Sequence, residues 1–406
     1  MSELDAFRAE VRAWLAANYP PQLNDPAASL DETAIWGGRT YAGATDPVSN
    51  WKSRMAQKGW TAPTWPKSYG GGGLTPAQAD VLQSEMVKGG YRLPLASFGL
   101  WMLGPVLLEY ATEAQKARYL PPIVRGDIRW CQGYSEPGAG SDLAGLQTRA
   151  EDRGDHWLVN GQKVWTTYAD QADWIFALVR TDTSKKHEGI SFLLIDMATP
   201  GVEARPIKLI SGASPFCETF FTDVKVPKDQ LVGKITEGWD IAKRLLQYER
   251  QNISGAMVSS NSAGGARVSQ AAGPLEAGAR EFVGLGPDGR LVDADLRARI
   301  TRNKMGSHCF QLTQERLARE AREGGPSAAT SIIKYAGASL GVERNELLIE
   351  AMGLKGLGWE GEGFTPRELS QTRAWLRSKG NSIEGGTSEI NLNIIAKRVL
   401  GLLDHQ

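Results

Sequence analysis

The stretch HWLVNGQKVWTT, His156–Thr167, decides the fold. Apolar and polar residues alternate on either side of Asn160-Gly161, so it reads as two short strands joined by a type I′ hairpin turn. Four further runs of strand length follow, ADWIFALVRT, GISFLLIDM, VEARPIKLI and CETFFTDVKV, punctuated by Gly, Pro and Asp. Their branched and aromatic residues suit a pleated, half-buried surface. The spacing predicts a compact antiparallel sheet domain over residues 127–236.

Outward from that sheet the texture turns helical. Upstream, Leu4, Phe7, Val11, Trp14 and Leu15 share one face of a helix that stops before Pro20-Pro21. Thr75-Pro76 with Gln78, and Thr112 with Gln115, are capping-box patterns. The Gly-rich turn WPKSYGGGGL lies before the first of them. Residues 1–126 thus form a helical N-terminal domain. Downstream, helical periodicity resumes at Trp239 and runs to the end, so residues 237–406 form a third, helical unit. Ile333, Ala336, Leu340 and Leu347 mark the stripe of one long helix there, and GPLEAGAREFVGLGPDGR, 273–290, reads as an interruption between helices. The class is α+β. It lacks the strand–helix alternation of a nucleotide-binding parallel sheet.

Composition narrows the function. The 406 residues carry 46 Lys+Arg against 46 Asp+Glu, so no bulk charge recruits nucleic acid or an anionic membrane. Cys131, Cys217 and Cys309 are few, odd in number and far apart, which fits a reducing compartment. The four histidines show no metal-ligand spacing. MSELDAFRAE carries acids and no apolar core, unlike a signal peptide. No run reaches the roughly 18 apolar residues of a membrane span. The expectation is a soluble, cytoplasmic protein without nucleic acid, metal or membrane insertion.

Three stretches could carry chemistry. PGAGSD starts like a dinucleotide fingerprint, but Leu143 takes the third glycine position and no βαβ unit surrounds it. It is either a plain turn or part of a ligand loop. In GGTSEINLNIIAKRVLGL, Thr387 or Ser388 caps a helix whose buried side is Ile390, Ile394, Ile395 and Val399. The Gly-Gly pair leaves backbone N–H groups at its positive end open to an anionic ligand, or Glu389 simply complements the dipole. In WDIAKRLLQYERQNISGAM, Ile241, Leu245, Glu249 and Ile253 follow at four-residue steps. A carboxylate in that stripe is paired with an arginine, turned to water, or desolvated into the range of a general base.

These stretches, in this order, resemble the acyl-CoA dehydrogenase family. YSEPGAGSDLAGLQTRA, VNGQKVWTTYADQADW, QYER and IEGGTSEINLNIIAKRVLGL carry the resemblance over nearly the whole chain. It implies an N-terminal helical domain, a middle antiparallel β-barrel or sandwich, and a C-terminal four-helix bundle. It implies FAD, bordered by Gln132, Tyr134 and Ser135, covered by Trp165 and Thr167, and touched by Thr387, Glu389 and, from a neighbouring subunit, the Gly353 loop. Ser141 resembles the serine that meets the pantetheine arm of an acyl-CoA. Many members carry their base in Tyr-Glu-Gly-Thr, but here Gly385 fills that place and Glu384 falls one residue early. Others use a Glu-Arg pair on a helix, here Glu249-Arg250, so the resemblance makes Glu249 the catalytic base and puts Arg250 beside the substrate. The chemistry implied is α,β-dehydrogenation of an acyl-CoA, with hydride passing to the flavin and electrons onward to an electron-transferring flavoprotein.

The usual Arg-x-x-Phe-Gly segment is absent, and GPLEAGAREFVGLGPDGR with Arg280 stands in its region. That fits either a homodimer or homotetramer with altered FAD contacts, or a heterotetramer of unlike subunits. The freed space near Gly385 favours a branched or bulky acyl chain. An acyl-CoA oxidase or flavin monooxygenase on the same fold is the alternative chemistry.

Overall fold

The computed structural model describes residues 2–25, 30–258, 275–324 and 330–403, without the side chains of Glu32, 249–258, Ala318, 321–324 and Thr330. The chain divides into two compact units, Met1–Ile207 with Pro215–Tyr248, and Lys208–Ser214 with Glu249–Gln406.

The first unit opens with helices α1 (Glu3–Asn18), α2 (Pro47–Gln57), α3 (Pro76–Lys88), α4 (Gly104–Tyr110) and α5 (Glu113–Arg125). The capping boxes at Thr75/Gln78 and Thr112/Gln115 form as the sequence predicts, and Ser2 with Asp5 makes another at the start of α1. Helix α1 buries Val11 and Leu15 but leaves Leu4, in its first turn, exposed.

The sheet follows: β1 (Trp130–Gly133), β2 (Arg149–Asp152), β3 (His156–Thr167), β4 (Trp174–Arg180), β5 (Ile190–Asp196), β6 (Val202–Ile207), β7 (Phe216–Pro227) and β8 (Leu231–Val232). Its order is β6-β7-β3-β2-β4-β5-β8, with β1 beside β4. The pairing is antiparallel except where β1 and the start of β2 run parallel to β4. Strand β4 is buried throughout. Phe176 and Leu178 share a core with Leu120 and Ile123 of α5 and with Ile241 and Leu245. Ile175, Ala177 and Val179 share another with Trp157, Val159, Phe221 and Val224 of β3 and β7. A sheet apolar on both faces is covered by helices on one side and folds over itself on the other.

The hairpin expected at Asn160-Gly161 does not form. Strand β3 runs straight through, paired with β7, with register shifts between Val159 and Gly161 and between Lys163 and Thr166. The dipeptide serves a bulge instead. Asn160 Nδ2 donates to Asp223 Oδ1 at 3.1 Å, and its Oδ1 accepts from the Asp223 backbone N–H at 2.9 Å. Gly161 has φ +150°, and a Cβ there would lie 2.6 Å from Thr148 Cα. The glycine admits the neighbouring chain rather than a turn.

Helix α6 (Gly238–Val258) is continuous across the boundary between the units. In the second unit, α9 (Thr330–Met352) packs against α7 (Leu275–Val283), α8 (Ala294–Gly324), α10 (Pro366–Ser378) and α11 (Ser388–Ile394). Its core gathers Leu275, Ala279, Leu296, Ile300, Leu347 and Leu348. The segment read as an interruption therefore contains a packed helix: Gly278 lets α7 approach so closely that a Cβ would sit 2.6 Å from Leu348 Cδ1. Ile390 and Val399, expected on the buried side of α11, are exposed in the isolated chain, and Asn391 is buried in their place.

Candidate active site

The sheet brings one group of the predicted residues together. Gln132 lies on β1, half-buried, opposite Phe176 of β4. The chain then leaves the sheet through Tyr134 and Ser135, and the Val164 N–H of β3 donates to the Ser135 carbonyl at 2.9 Å. That bond sets Tyr134–Ser135 beside Trp165–Thr167. The Tyr134 ring turns inward, edge-on to Phe176 and Phe192 at 6.2 and 6.5 Å between centroids.

Trp165 sits in the second bulge of β3 with φ +62°, a conformation costly for a large side chain. Its indole is 54% exposed, edge-on to Phe216. Thr166, next to it, points inward and donates to the Cys217 carbonyl at 2.8 Å. Thr167 is half-buried, and Tyr168 beyond it has φ +50°. Two backbone outliers around an outward indole mark a built surface rather than ordinary strand.

Ser141 is exposed in the SEPGAGSD turn. That turn closes by reciprocal Glu136–Ala139 backbone bonds at 3.0 Å. The Glu136 carboxylate reaches below it, accepting from the N–H groups of Gln147 and Thr148 at 2.6 and 2.9 Å and from Lys163 Nζ at 2.7 Å. Burial opposes ionisation of Glu136, but the ammonium and these donors outweigh it and hold the carboxyl below its ordinary value. Burial pushes the Lys163 ammonium down to about 8. Neither residue was singled out from sequence. The available signal was parity: Lys163 shares the inward face of β3 with the buried Trp157 and Val159.

On α6, Ile241 and Leu245 are fully buried, which is half of the stripe predicted for Glu249. Glu249 and Arg250 lie on the helix, and their side chains are outside the described residues. The turn before them is tied down. Arg244 and the Tyr248 hydroxyl both donate to Glu109 of α4. Hydrogen bonding to Arg244 holds Glu109 below the usual carboxylate range.

The second unit holds the remaining predicted residues. Gly353 ends α9 with φ +54°. Thr387 caps α11 as expected, accepting from the Ile390 N–H at 3.3 Å, and Glu389 occupies the first turn. Gly385 and Gly386 have φ of +64° and +95°, and Asn391 Nδ2 donates to the Gly386 and Thr387 carbonyls at 2.9 Å. Asn391 escaped sequence reading because a polar residue on a short helix has no periodic signature. Glu384 is bound to Arg377 at 2.7 Å. Arg280 is exposed on α7.

An exposed indole held at positive φ, next to the hydroxyl residues Thr166 and Thr167 and beside the Ser135 segment, suits a flat ring with polar edges, so these residues fit a flavin. Among the described residues no cluster of His, Cys, Asp or Glu could hold a metal, and no helix is long and apolar enough to cross a membrane.

The chain is similar to known proteins along nearly its whole length. Family models for the acyl-CoA dehydrogenase N-terminal, middle and C-terminal domains match residues 1–127, 131–224 and 236–400. The chain is 35% identical to acyl-CoA dehydrogenase IpdE1 of Mycobacterium tuberculosis, over 99% of this chain and 98% of that one. Among solved structures it resembles the Tcur3481-Tcur3483 steroid ACAD, with TM-score 0.76, 27% identity and coverage of 99% and 98% of the two chains. It also resembles the ChsE4-ChsE5 complex from Mycobacterium tuberculosis, with TM-score 0.74, 28% identity and coverage of 100% and 99%. The chain belongs to the acyl-CoA dehydrogenase family and is a FAD-dependent oxidoreductase.

Proposed function

We propose that this protein dehydrogenates a bulky, ring-bearing acyl-CoA between its α and β carbons, with Glu249 as the base that takes the α-proton. The observation that carries the reading is end-to-end similarity to a steroid ACAD, joined to a helix that buries Ile241 and Leu245 on the line leading to Glu249. FAD, when bound, supplies the acceptor for the hydride equivalent leaving the β carbon. The chain supplies the rest. A carboxylate on an apolar helix face is desolvated, which raises its pKa towards that of a working base. Ser141 meets the pantetheine arm from its exposed turn, and Arg250 lies one residue from the base. Trp165 and Thr167 shield the reacting carbons from water, and Gln132, Tyr134 and Ser135 border the same face. By the resemblance, Thr387 and Glu389 touch the cofactor, and the Gly353 loop meets it from a neighbouring subunit. An electron-transferring flavoprotein takes the electrons onward.

The assembly reading follows from the same similarity. One similar structure is the ChsE4-ChsE5 complex, another carries the paired name Tcur3481-Tcur3483, and this chain lacks the Arg-x-x-Phe-Gly segment. That supports a complex with an unlike subunit over a homotetramer.

The test is anaerobic bleaching of the flavin by a panel of acyl-CoAs, wild type against Glu249→Gln. A ring-bearing acyl-CoA bleaches the wild type, and the variant loses about 10²–10⁴ in rate. Unaltered bleaching by Glu249→Gln would remove it as the base, and a marked preference for short straight chains would remove the substrate class.

A further inference from the structure

We propose that the buried ion pair Glu136–Lys163 is a positioning pair for the flavin, setting the spacing between the Tyr134–Ser135 segment and Trp165–Thr167. The proposal rests on the reading that these two segments border the cofactor.

The geometry joins three stretches of chain at one point. Lys163 Nζ lies 2.7 Å from Glu136 Oε1 and 3.2 Å from the Tyr134 carbonyl, so one ammonium grips both the turn and the segment before it. The other lone pairs of Glu136 take the N–H groups of Gln147 and Thr148, where the chain enters β2. The side chains are 0% and 7% exposed. Arg180, the third charge of this region, serves the far end of the loop by donating to the carbonyls of Ala144 and Leu146 at 2.6 and 3.3 Å.

Stability alone is a weak reason for such a pair. Replacing a buried ion pair by apolar residues of similar volume is often neutral or stabilising. A directional pair does what an apolar contact does not: it fixes register. Register is at issue here on both sides. The turn offers little to pack, since a Cβ at Gly138 or Gly140 would meet nothing within 4 Å. On β3 the pairing with β7 slips between Lys163 and Thr166, and the bulge throws Trp165 outward. The two inward residues that bracket it, Lys163 and Thr166, are both fully buried and hydrogen-bonded. Lys163 is therefore the tether that relates a bulged strand to a sparsely packed loop.

The experiment compares wild type, Glu136→Gln, Lys163→Met, the double variant Glu136→Gln/Lys163→Met, and Trp165→Ala, each in its native assembly. Three quantities are read: the melting temperature of the apoprotein, the FAD dissociation constant, and the visible circular dichroism of bound FAD. Each single variant leaves a buried charge unpaired and melts lower. The double variant regains apoprotein stability, yet binds FAD at least about tenfold more weakly and with an altered dichroic band, the scale on which supporting side chains act. A double variant with wild-type affinity and dichroism overturns the proposal. If Trp165→Ala also leaves both unchanged, the placement of the flavin has failed. If Trp165→Ala weakens FAD while the double variant does not, the positioning role alone has failed. Should the double variant not fold, Lys163→Arg keeps the charge but lengthens and forks it, and is read by the same two flavin signals.

Discussion

The Arg244 guanidinium forks onto the Glu109 carboxylate, Nη2 to Oε1 at 2.8 Å and Nε to Oε2 at 2.9 Å. The Tyr248 hydroxyl donates to the same Oε1, so α4 holds the turn of α6 that ends one residue before Glu249. Burial, then the hydrogen bond to Glu109, pushes the Tyr248 phenol up from 10.0 to about 12. The sign follows. Between those values the folded protein keeps a proton that the unfolded chain releases, so stability is complete below pH 10 and is lost as pH rises through 12. Tyr248→Phe removes this dependence. Melting curves from pH 9 upward are expected to fall more steeply for wild type than for Tyr248→Phe; parallel curves would show that Tyr248 carries no such linkage.

Gly161→Ala is expected to destabilise the sheet. The added methyl would sit 2.6 Å from Thr148 Cα and 2.8 Å from Thr148 Cβ, and φ is +150°. Backbone must move, at a cost of about 1–3 kcal/mol. Chemical unfolding of the apoprotein measures it, and a variant as stable as wild type would mean that β2 slides freely past β3.

Much of this was legible in the sequence. Capping boxes at Thr75 and Thr112 and the cap at Thr387 depend on residues three apart, and local patterns survive any tertiary context. Runs such as ISFLLID read as strands because burial on both faces makes them nearly continuously apolar. Asn160-Gly161 misled because turn and bulge both ask for a permissive residue, and only the approach of Thr148 decides between them. Strands β1, β2 and β8 were missed because they are two to four residues long, too short for a period to show. Glu136 and Lys163 stayed hidden for a different reason: a buried pair 27 residues apart is a property of sheet register, not of either local sequence.

Glu384 is expected to be a bystander. It is the nearest carboxylate in sequence to the position where many family members keep their base, but Arg377 Nη2 holds its Oε2 at 2.7 Å. The guanidinium holds that carboxylate in place on its own helix end, with one oxygen already occupied. Glu384→Gln should leave the rate of flavin bleaching unchanged and cost no more than about 1 kcal/mol of stability, as partly exposed pairs do. A loss as large as that of Glu249→Gln would instead return Glu384 as the base.

The second unit leaves apolar side chains in water that a lone chain has no reason to expose. Leu354 is 82% exposed, Leu357 73%, Ile383 65% and Leu403 89%. Leu354 and Leu357 lie on the turn directly after Gly353, and Ile383 lies just before the Gly385-Gly386 pair, so the exposed groups border the segments assigned to FAD. Apolar groups of this kind mark contact surfaces. The chain is therefore expected to associate, and cofactor content to depend on that association. Light scattering during size exclusion, with flavin absorbance on the same peak, reads both at once. A homomeric oligomer carries one FAD per chain. Assembly with an unlike subunit leaves the chain short of FAD when it is expressed alone and restores the flavin on co-expression. Leu354→Asp/Leu357→Asp should lower both mass and flavin content while the monomer still melts cooperatively; a variant of unchanged mass would place the contact surface elsewhere.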